Sequence, residues 1–358
     1  MPVDLRTRKL AQLAVKYSVF VKPGDQVIIS GESQAESFIQ ELYKAVILAG
    51  GIPVVRMSPS SLSDFYYKFA NKQQLEHFPQ HWFDTVKSCQ KYIGIDTSAN
   101  TRELSSANSK KIALRQKITS KISDYVVNAK PAIHRVTIAY PCQALAQEAD
   151  MSLTEWENFV YSACLQDWPR LSKQLYKINS KFKENSKVHL LGENVDLKMR
   201  VHGSKSKVDA GEENMPGGEI FMAPVRESIN GFIKFDFPAI RNGKEVLGVF
   251  LKFKDGKVIE SKADKNEGFL KAMLAADENS SYIGELGIGC NPRVNKFTKS
   301  LLFDEKISGT IHLALGMAYK ENGGGNDSSI HWDIVKDMHK AKIIVDNKVI
   351  QENGVWKI

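Results

Sequence analysis

Apolar positions follow two different periods in the first third of the chain. Residues 26–30 (QVIIS) form a short apolar run after Pro23-Gly24, a pair typical of turns. Beyond that run, apolar residues recur at the three- and four-residue spacing of one helical face: Ile39, Leu42, Tyr43, Val46 and Ile47. An extended apolar run resumes at residues 52–57. Strand, helix and strand with short connections predict a βαβ unit with parallel strands.

Two further apolar runs and two capping boxes predict more strands and the starts of two helices. The apolar runs 92–95 and 136–140 are predicted to add strands to the sheet. Ser33 and Glu36 have the spacing of a capping box, which predicts that the first helix of the βαβ unit begins there. A second capping box, at residues 152–155, predicts a helix that connects the two halves of the chain.

After about residue 185 the pattern becomes strand-like. Residues 248–253 (GVFLKF) precede Asp255-Gly256, which is a strong signal of a hairpin turn. Residues 301–317 and 341–345 are also predicted as strands.

A chain of 358 residues is long enough for two domains. We therefore predict an α/β fold with an N-terminal α/β domain and a mainly parallel sheet over residues 1–185. Residues 186–358 are predicted to form a C-terminal, β-rich α+β domain.

Composition excludes several classes of protein. With 42% hydrophobic and 25% charged residues, the chain is neither disordered, collagen-like nor a coiled coil. It has no apolar run near the ~18 residues that span a membrane, and no secretory signal is expected at its start. We expect a cytoplasmic protein with no membrane partner. The cysteines lack CxxC spacing, which argues against a thiol zinc site; Cys164 is expected in the core and Cys290 in a partly exposed loop.

A net charge of +8 raises the question of a nucleic-acid partner. Ten Lys and Arg residues lie between Trp168 and Val208, against three acidic residues. A charge run of this kind more often forms a solvated surface, and no nucleic-acid-binding motif accompanies it. Nucleotide binding is also disfavoured, because neither GxGxxG nor GxxxxGK[ST] occurs.

The candidate chemistry lies in the C-terminal half. HExxH and GxSxG are absent, which argues against a zincin or a serine-hydrolase elbow. In residues 330–334 (IHWDI), His331 and Asp333 would point to one face of an extended strand. His312 interrupts the apolar run 309–316, and a buried imidazole needs a polar partner or a metal.

Glu219 and Glu285 each lie among apolar residues and glycines, with no Lys or Arg beside them. Each of these signals alone also fits an ordinary role, such as a hydrogen-bonded core histidine or a carboxylate that caps backbone N–H groups. Together, the oxygen and imidazole donors suit Zn, Co or Mn in a two-metal hydrolytic site.

Four stretches in order then resemble a known family: residues 214–221 (NMPGGEIF), 284–292 (GELGIGCNP), 302–316 (LFDEKISGTIHLALG) and 330–333 (IHWD). They are similar to the M29 metallopeptidases, the aminopeptidase T and aminopeptidase S family. The resemblance covers nearly the whole chain. It implies a cytoplasmic, homodimeric aminopeptidase of the leucyl aminopeptidase type that acts on short peptides through water activated by two divalent cations.

The resemblance also implies a role for each motif residue. The metal ligands would be Glu219, Glu285, Glu305, His312, His331 and Asp333. Glu285 would bridge the two ions, and Glu305 would be a ligand or the general base. Tyr319 would stabilise the transition state. The interval of seven positions from Glu305 to His312 is longer than in some family members. Glu305 could therefore be displaced from the position that it has in those members.

Other functions remain open at this point. One is another dinuclear amidohydrolase or dipeptidase, which substrates with free and blocked amines would separate. Another is a basic nucleic-acid-binding protein, whose binding would weaken steeply with salt. A catalytically silent scaffold is the third.

Overall fold

The computed structural model describes residues 3–241 and 243–358; Met1, Pro2 and Asn242 lie outside the described residues. The helices, α1 to α11 in chain order, are Leu5–Leu13, Glu36–Leu48, Leu62–Phe69, Lys72–Glu76, Gln80–Ser88, Ser109–Asn128, Gln143–Glu148, Leu153–Cys164, Trp168–Asn179, Glu267–Leu274 and Leu301–Asp304. The strands, β1 to β20, are Gln26–Glu32, Ile52–Ser58, Lys91–Asp96, His134–Ala139, Glu184–Gly192, Val195–His202, Lys207–Asp209, Asn214–Met215, Glu219–Met222, Asn230–Lys234, Ala239–Arg241, Lys244–Val246, Phe250–Lys254, Lys257–Lys262, Ile283–Gly289, Thr310–Gly316, His331–Asp337, Ala341–Val345, Lys348–Glu352 and Val355–Trp356.

These elements divide into two compact units. The first lies within Met1–Gln166 and Gly211–Pro216, and the second within Asp167–Ala210 and Gly217–Ile358. The domain boundary that we predicted after residue 185 stays a prediction.

The first unit contains a parallel sheet with the strand order β2-β1-β3-β4-β8. The βαβ unit read from the sequence is β1, α2 and β2, and the two runs predicted to extend the sheet are β3 and β4. Val27, Ile28 and Ile29 are all fully buried. Successive residues of a strand point to opposite faces, so both faces of β1 are covered, as is usual in a parallel sheet.

The two predicted capping boxes have different outcomes. Ser152 accepts a hydrogen bond from the backbone N–H of Glu155, whose carboxylate accepts one from the backbone of Ser152, so the prediction at the start of α8 is confirmed. The prediction at Ser33 is wrong. A 3-10 turn occupies Ser33–Ala35 and α2 begins only at Glu36, without a side-chain cap.

The second unit contains two antiparallel sheets. One has the order β14-β13-β10-β6-β5-β18-β19-β20, and the other has the order β17-β16-β15-β9-β7. Asp255 and Gly256 join β13 to β14 with positive φ angles of 47° and 83°, as a tight hairpin requires. The predicted fold class, a parallel α/β region followed by a separate β-rich region, is therefore confirmed.

The strand predicted over residues 301–317 is wrong in its first half. Leu301–Asp304 is a short helix, and β16 begins at Thr310. Gly309 has a φ of +82°, a left-handed conformation that interrupts an extended run. Every residue of β15 and β16 is buried, so this part of the sheet is covered on both faces.

Two expectations about burial can also be compared with the structure. Cys164 is fully buried, as expected. Cys290, directly after β15, is only 5% exposed, so the expectation that it is partly exposed is wrong. Its backbone N–H donates to the carbonyl of Gly218, the residue before β9. Within the described residues, none of the helices is long and apolar enough to cross a membrane.

Candidate metal centre

The register of the sheet β17-β16-β15-β9-β7 brings the predicted ligands to one face. Glu285 lies opposite Ala314, which in turn lies opposite Asp333, so these three residues form a row across β15, β16 and β17. Residues directly opposite each other share a face, as do residues two apart on a strand. His312 therefore lies on the same face, two residues before Ala314. His331, opposite Gly316, also lies there.

Three of these side chains converge closely. One ligand atom each from Glu285, His312 and Asp333 lies within 4.8 Å of the others, and all three residues are buried. The Nε2 atom of His312 is 3.4 Å from Oε1 of Glu285 and 3.7 Å from Oε2 of Glu219. Glu219 reaches the same place from the first position of β9, opposite Gly289.

Gly287 makes room for the imidazole of His312. The two residues are paired across β15 and β16, and a Cβ atom at position 287 would lie 1.9 Å from Nε2 of His312. That separation is far below any van der Waals contact. Glycine at this position is therefore required by the packing of the site.

A lysine lies between two of the carboxylates. Lys306 is 1% exposed; its Nζ is 3.0 Å from Oε1 of Glu219 and 2.7 Å from Oε2 of Glu305. Burial lowers the pKa of Lys306, but Glu219, Glu305 and Asp209 more than offset this and hold the pKa above its ordinary value. Glu219 has no Lys or Arg beside it in the sequence, and its basic partner comes from a distant part of the chain.

His331 and Tyr319 lie at the end of this face. Nδ1 of His331 is 2.9 Å from the carbonyl oxygen of Met317, and its Nε2 is 3.5 Å from Oδ2 of Asp333. The ring centroids of Tyr319 and His331 are 5.3 Å apart. Arg241 donates a hydrogen bond to the backbone carbonyl of His331.

Several polar atoms of the cluster lack a protein hydrogen bond. Among the described residues, no hydrogen-bond partner is found for Oε2 of Glu219, Oδ1 of Asp333 or either ring nitrogen of His312, although all are buried. Unsatisfied buried polar atoms are costly and uncommon in native proteins. Convergent carboxylate and imidazole atoms of this kind fit a bound divalent cation.

Burial and neighbouring charges shift the pKa values of the cluster residues. Burial raises the pKa of Glu219 to about 8 and that of Asp333 to about 6. Burial lowers the pKa of His312, but the surrounding Glu285 and Glu305 carboxylates more than compensate and raise it to about 9. Burial opposes ionisation of Glu305 too, yet Lys306 keeps its pKa below the ordinary value. Protons therefore occupy this cluster in the absence of a cation.

The structure thus places the predicted residues in one region. Glu219, Glu285, His312 and Asp333 form its centre, with Glu305 joined through Lys306. His331 lies beside Asp333, and Tyr319 lies beside His331. Sequence reasoning missed Lys306, Gly287 and Arg241. The first two had a signal, since each lies within a quoted motif; Arg241 had none.

Comparison with known proteins agrees with this geometry. The family model described as "Thermophilic metalloprotease (M29)" matches residues 3–356. The chain belongs to the M29 family of metallopeptidases. It is therefore a peptidase that depends on divalent metal ions.

Relatives and solved structures extend the match. Aminopeptidase AmpS of Bacillus subtilis is 26% identical, with 97% of each chain covered. Aminopeptidase T of Thermus thermophilus is 33% identical over 138 residues, which are 34% of this chain and 33% of that protein. The structure of wild-type AmpT from Thermus thermophilus superposes with a TM-score of 0.84 at 20% identity, covering 99% of both chains.

A dioxygenase has a related fold. The 2,5-dihydroxypyridine dioxygenase from Pseudomonas putida KT2440 matches with a TM-score of 0.61 at 13% identity, covering 99% of this chain and 98% of that one. This likeness concerns the fold alone. Since one fold can carry different chemistry, the reaction has to be argued from the site.

Proposed function

We propose that this M29 peptidase is an aminopeptidase that removes the N-terminal residue from short peptides. The observation that carries the proposal is the buried convergence of Glu285, His312 and Asp333, whose ligand atoms lie within 4.8 Å of one another. The names of the Bacillus subtilis and Thermus thermophilus relatives, both aminopeptidases, support the exopeptidase activity.

The residues that would hold the metal follow from the cluster. Glu219, Glu285, His312, His331 and Asp333 would hold the metal ions, with Glu285 as the ligand common to two ions, and Glu305 would be a further ligand or the general base. When bound, the ions polarise the scissile carbonyl and lower the pKa of a water so that it can act as nucleophile at neutral pH. The formal charges favour divalent cations: with Glu219, Glu285, Glu305 and Asp333 ionised and Lys306 protonated, the cluster is strongly negative.

The protein's own side chains supply the remaining chemistry. Glu305 has a pKa held below its ordinary value, so it is ionised at neutral pH and can accept a proton as a general base if it is not a ligand. Tyr319 can donate its phenolic hydrogen to the oxyanion that forms on the attacked carbonyl. A carboxylate that binds the free α-amine of the peptide would restrict the enzyme to chain ends.

The experiment starts from protein stripped of metal with a chelator. Zn, Co or Mn is returned singly, and hydrolysis is followed with an amino-acid 4-nitroanilide, its N-acetylated form and a set of dipeptides and tripeptides. We expect metal-dependent release from the free-amine substrate and the tripeptides. Turnover of blocked substrates would point to an amidohydrolase, and turnover of dipeptides alone to a dipeptidase.

Two variants test the site itself. Glu285→Gln should lose at least about a hundredfold in kcat/KM, because it removes a charged ligand from the centre of the cluster. Glu352→Gln is the matched control: this glutamate lies on β19 of the other sheet of the same unit and forms ion pairs with Lys342 and Lys357. Unchanged activity in Glu285→Gln would defeat the proposal.

Three finer parts of the proposal have separate tests. The metal is Zn, Co or Mn, present as two ions per chain, which elemental analysis of the purified protein would show. The protein is a homodimer, as the sequence resemblance implies, which light scattering after gel filtration would show. It resides in the cytoplasm, which fractionation of the source cells would show.

A further inference from the structure

The connection between β16 and β17 carries Tyr319 near its beginning and leads into His331 at its end. Its middle contains three consecutive glycines, Gly323, Gly324 and Gly325. Glycine loses more conformational freedom on ordering than any other residue, so a segment of this composition needs anchors to keep one conformation.

Asp277 provides one anchor point. Its Oδ2 accepts hydrogen bonds from the hydroxyl of Ser328 (2.9 Å), the backbone N–H of Ser329 (2.7 Å) and the hydroxyl of Ser329 (2.6 Å). Its Oδ1 accepts one from the backbone N–H of Asn279 (2.9 Å). Burial opposes ionisation, but these hydrogen bonds prevail and hold the pKa of Asp277 well below its ordinary value.

The turn that follows Asp277 also forms hydrogen bonds with residues 326 and 327 of the connection. The side-chain amide of Asn279 donates to the carbonyl of Asp327 at 2.7 Å. The side-chain amide of Asn326 donates to the carbonyls of Asn279 (3.0 Å) and Gly316 (2.6 Å). Four consecutive residues, 326–329, are therefore fastened to the turn that follows Asp277, and Asn326 also ties them to the end of β16.

These contacts continue to the candidate site through the backbone. The N–H of Ala318 donates to the carbonyl of Asn326 at 2.9 Å, and the N–H of Met317 donates to the carbonyl of Ile330 at 2.7 Å. The carbonyl of Met317 lies 2.9 Å from Nδ1 of His331. The two ends of the connection are thus held side by side, which places the ring of Tyr319 beside that of His331.

We propose that Asp277 is a positioning residue for the peptidase reaction, which acts by fastening the 317–330 connection so that Tyr319 is held beside His331 at the metal cluster. The proposal rests on the proposed function for its effect on catalysis. Asp277 acts through Ser328, Ser329 and the backbone, and it touches neither substrate nor metal. Its loss therefore lowers kcat and leaves metal binding and KM nearly unchanged.

The test compares Asp277→Ala and the milder Asp277→Asn with a matched control, Asp346→Ala. Asp346 is also a carboxylate that accepts hydrogen bonds from a serine hydroxyl and a backbone N–H, those of Ser186 and Lys187, at 2.8 Å each. It lies after β18, in the other sheet of the same unit. A general loss of stability would appear in both alanine variants, whereas an effect on the connection would appear only at Asp277.

Three readouts are taken on the full chain: hydrogen–deuterium exchange of amides 318–329, metal content, and kcat and KM with an amino-acid 4-nitroanilide. For Asp277→Ala we expect exchange of those amides to rise about tenfold or more and kcat to fall about ten- to a hundredfold, with KM within about threefold. Metal content should stay at the wild-type value. In Asp277→Asn, amide exchange and kcat should change in the same direction by smaller amounts. This variant replaces Asp277→Ala in the test if the alanine variant does not fold.

Two results would overturn the inference: unchanged exchange of amides 318–329, or faster exchange with wild-type kcat. A fall in kcat no larger than that of Asp346→Ala would count against it equally. The exchange measurement does not depend on activity. If the wild-type protein had no peptidase activity, the proposed function would fail, while faster exchange in Asp277→Ala would still show that the aspartate fastens the connection.

Discussion

Replacing Lys306 with methionine removes a buried positive charge and keeps most of the side-chain volume. The ammonium group lies 3.0 Å from one carboxylate oxygen of Glu219 and 2.7 Å from one of Glu305. At an effective dielectric constant of about 20, these distances correspond to gross attractions of about 5.5 and about 6 kcal/mol. Much of this offsets the cost of burying the ions, and breaking a buried pair typically costs a net 3–5 kcal/mol.

Lys336 provides the control, because it is also a buried lysine in an ion pair. It is 3% exposed and its Nζ is 2.6 Å from Oδ2 of Asp236, whose side chain is 37% exposed. After Lys336→Met, water can hydrate the remaining carboxylate, so we expect a smaller loss, about 1–2 kcal/mol. After Lys306→Met, Glu219 and Glu305 lose the ammonium group that they share. The nearest remaining cation for Glu219 is His312, whose Nε2 is 3.7 Å from its Oε2.

The assay is urea unfolding of protein treated with a chelator, followed by tryptophan fluorescence at pH 9, where Glu219, with a pKa of about 8, is mainly ionised. Trp332 lies on β17 between His331 and Asp333 and reports on this sheet. We expect Lys306→Met to lower the free energy of unfolding by about 3–5 kcal/mol, and by clearly more than Lys336→Met. Equal losses in the two variants would refute the argument that Lys306 balances the charge of the cluster.

Three other changes give separate predictions. Gly287→Ala should abolish metal binding, measured by elemental analysis, because the new methyl group would collide with Nε2 of His312. Tyr319→Phe should lower kcat about a hundredfold with little change in KM, since it removes a donor to the transition state; a change in KM alone would contradict that role. The metal-free protein should melt at lower temperature as the pH rises from 6 to 8.5. The raised pKa values of Asp333 (about 6), Glu219 (about 8) and His312 (about 9) mean that the folded state binds more protons than the unfolded state in this range. Added metal should weaken this trend because it displaces those protons.

Local patterns in the sequence were enough to predict four of the five strands of the parallel sheet in the first unit. The buried strand β1 appears as a continuous apolar run, and the periodic face of α2 separates it from β2, an edge strand that is largely exposed. The failed cap at Ser33 shows the limit of local reasoning. Its hydroxyl lies 3.4 Å from that of Ser60, a residue far along the chain, and the helix begins three residues later.

The sequence by itself also predicted which residues would carry the chemistry, since acidic and imidazole groups within apolar, glycine-rich runs are costly unless they bind something. Tertiary structure alone decided how those groups meet. The antiparallel register sets Glu285, Ala314 and Asp333 in one row and opens space for His312 at Gly287. It also buries Lys306 between Glu219 and Glu305. Strand pairing between distant segments is a property of the folded chain, so no local spacing contains it.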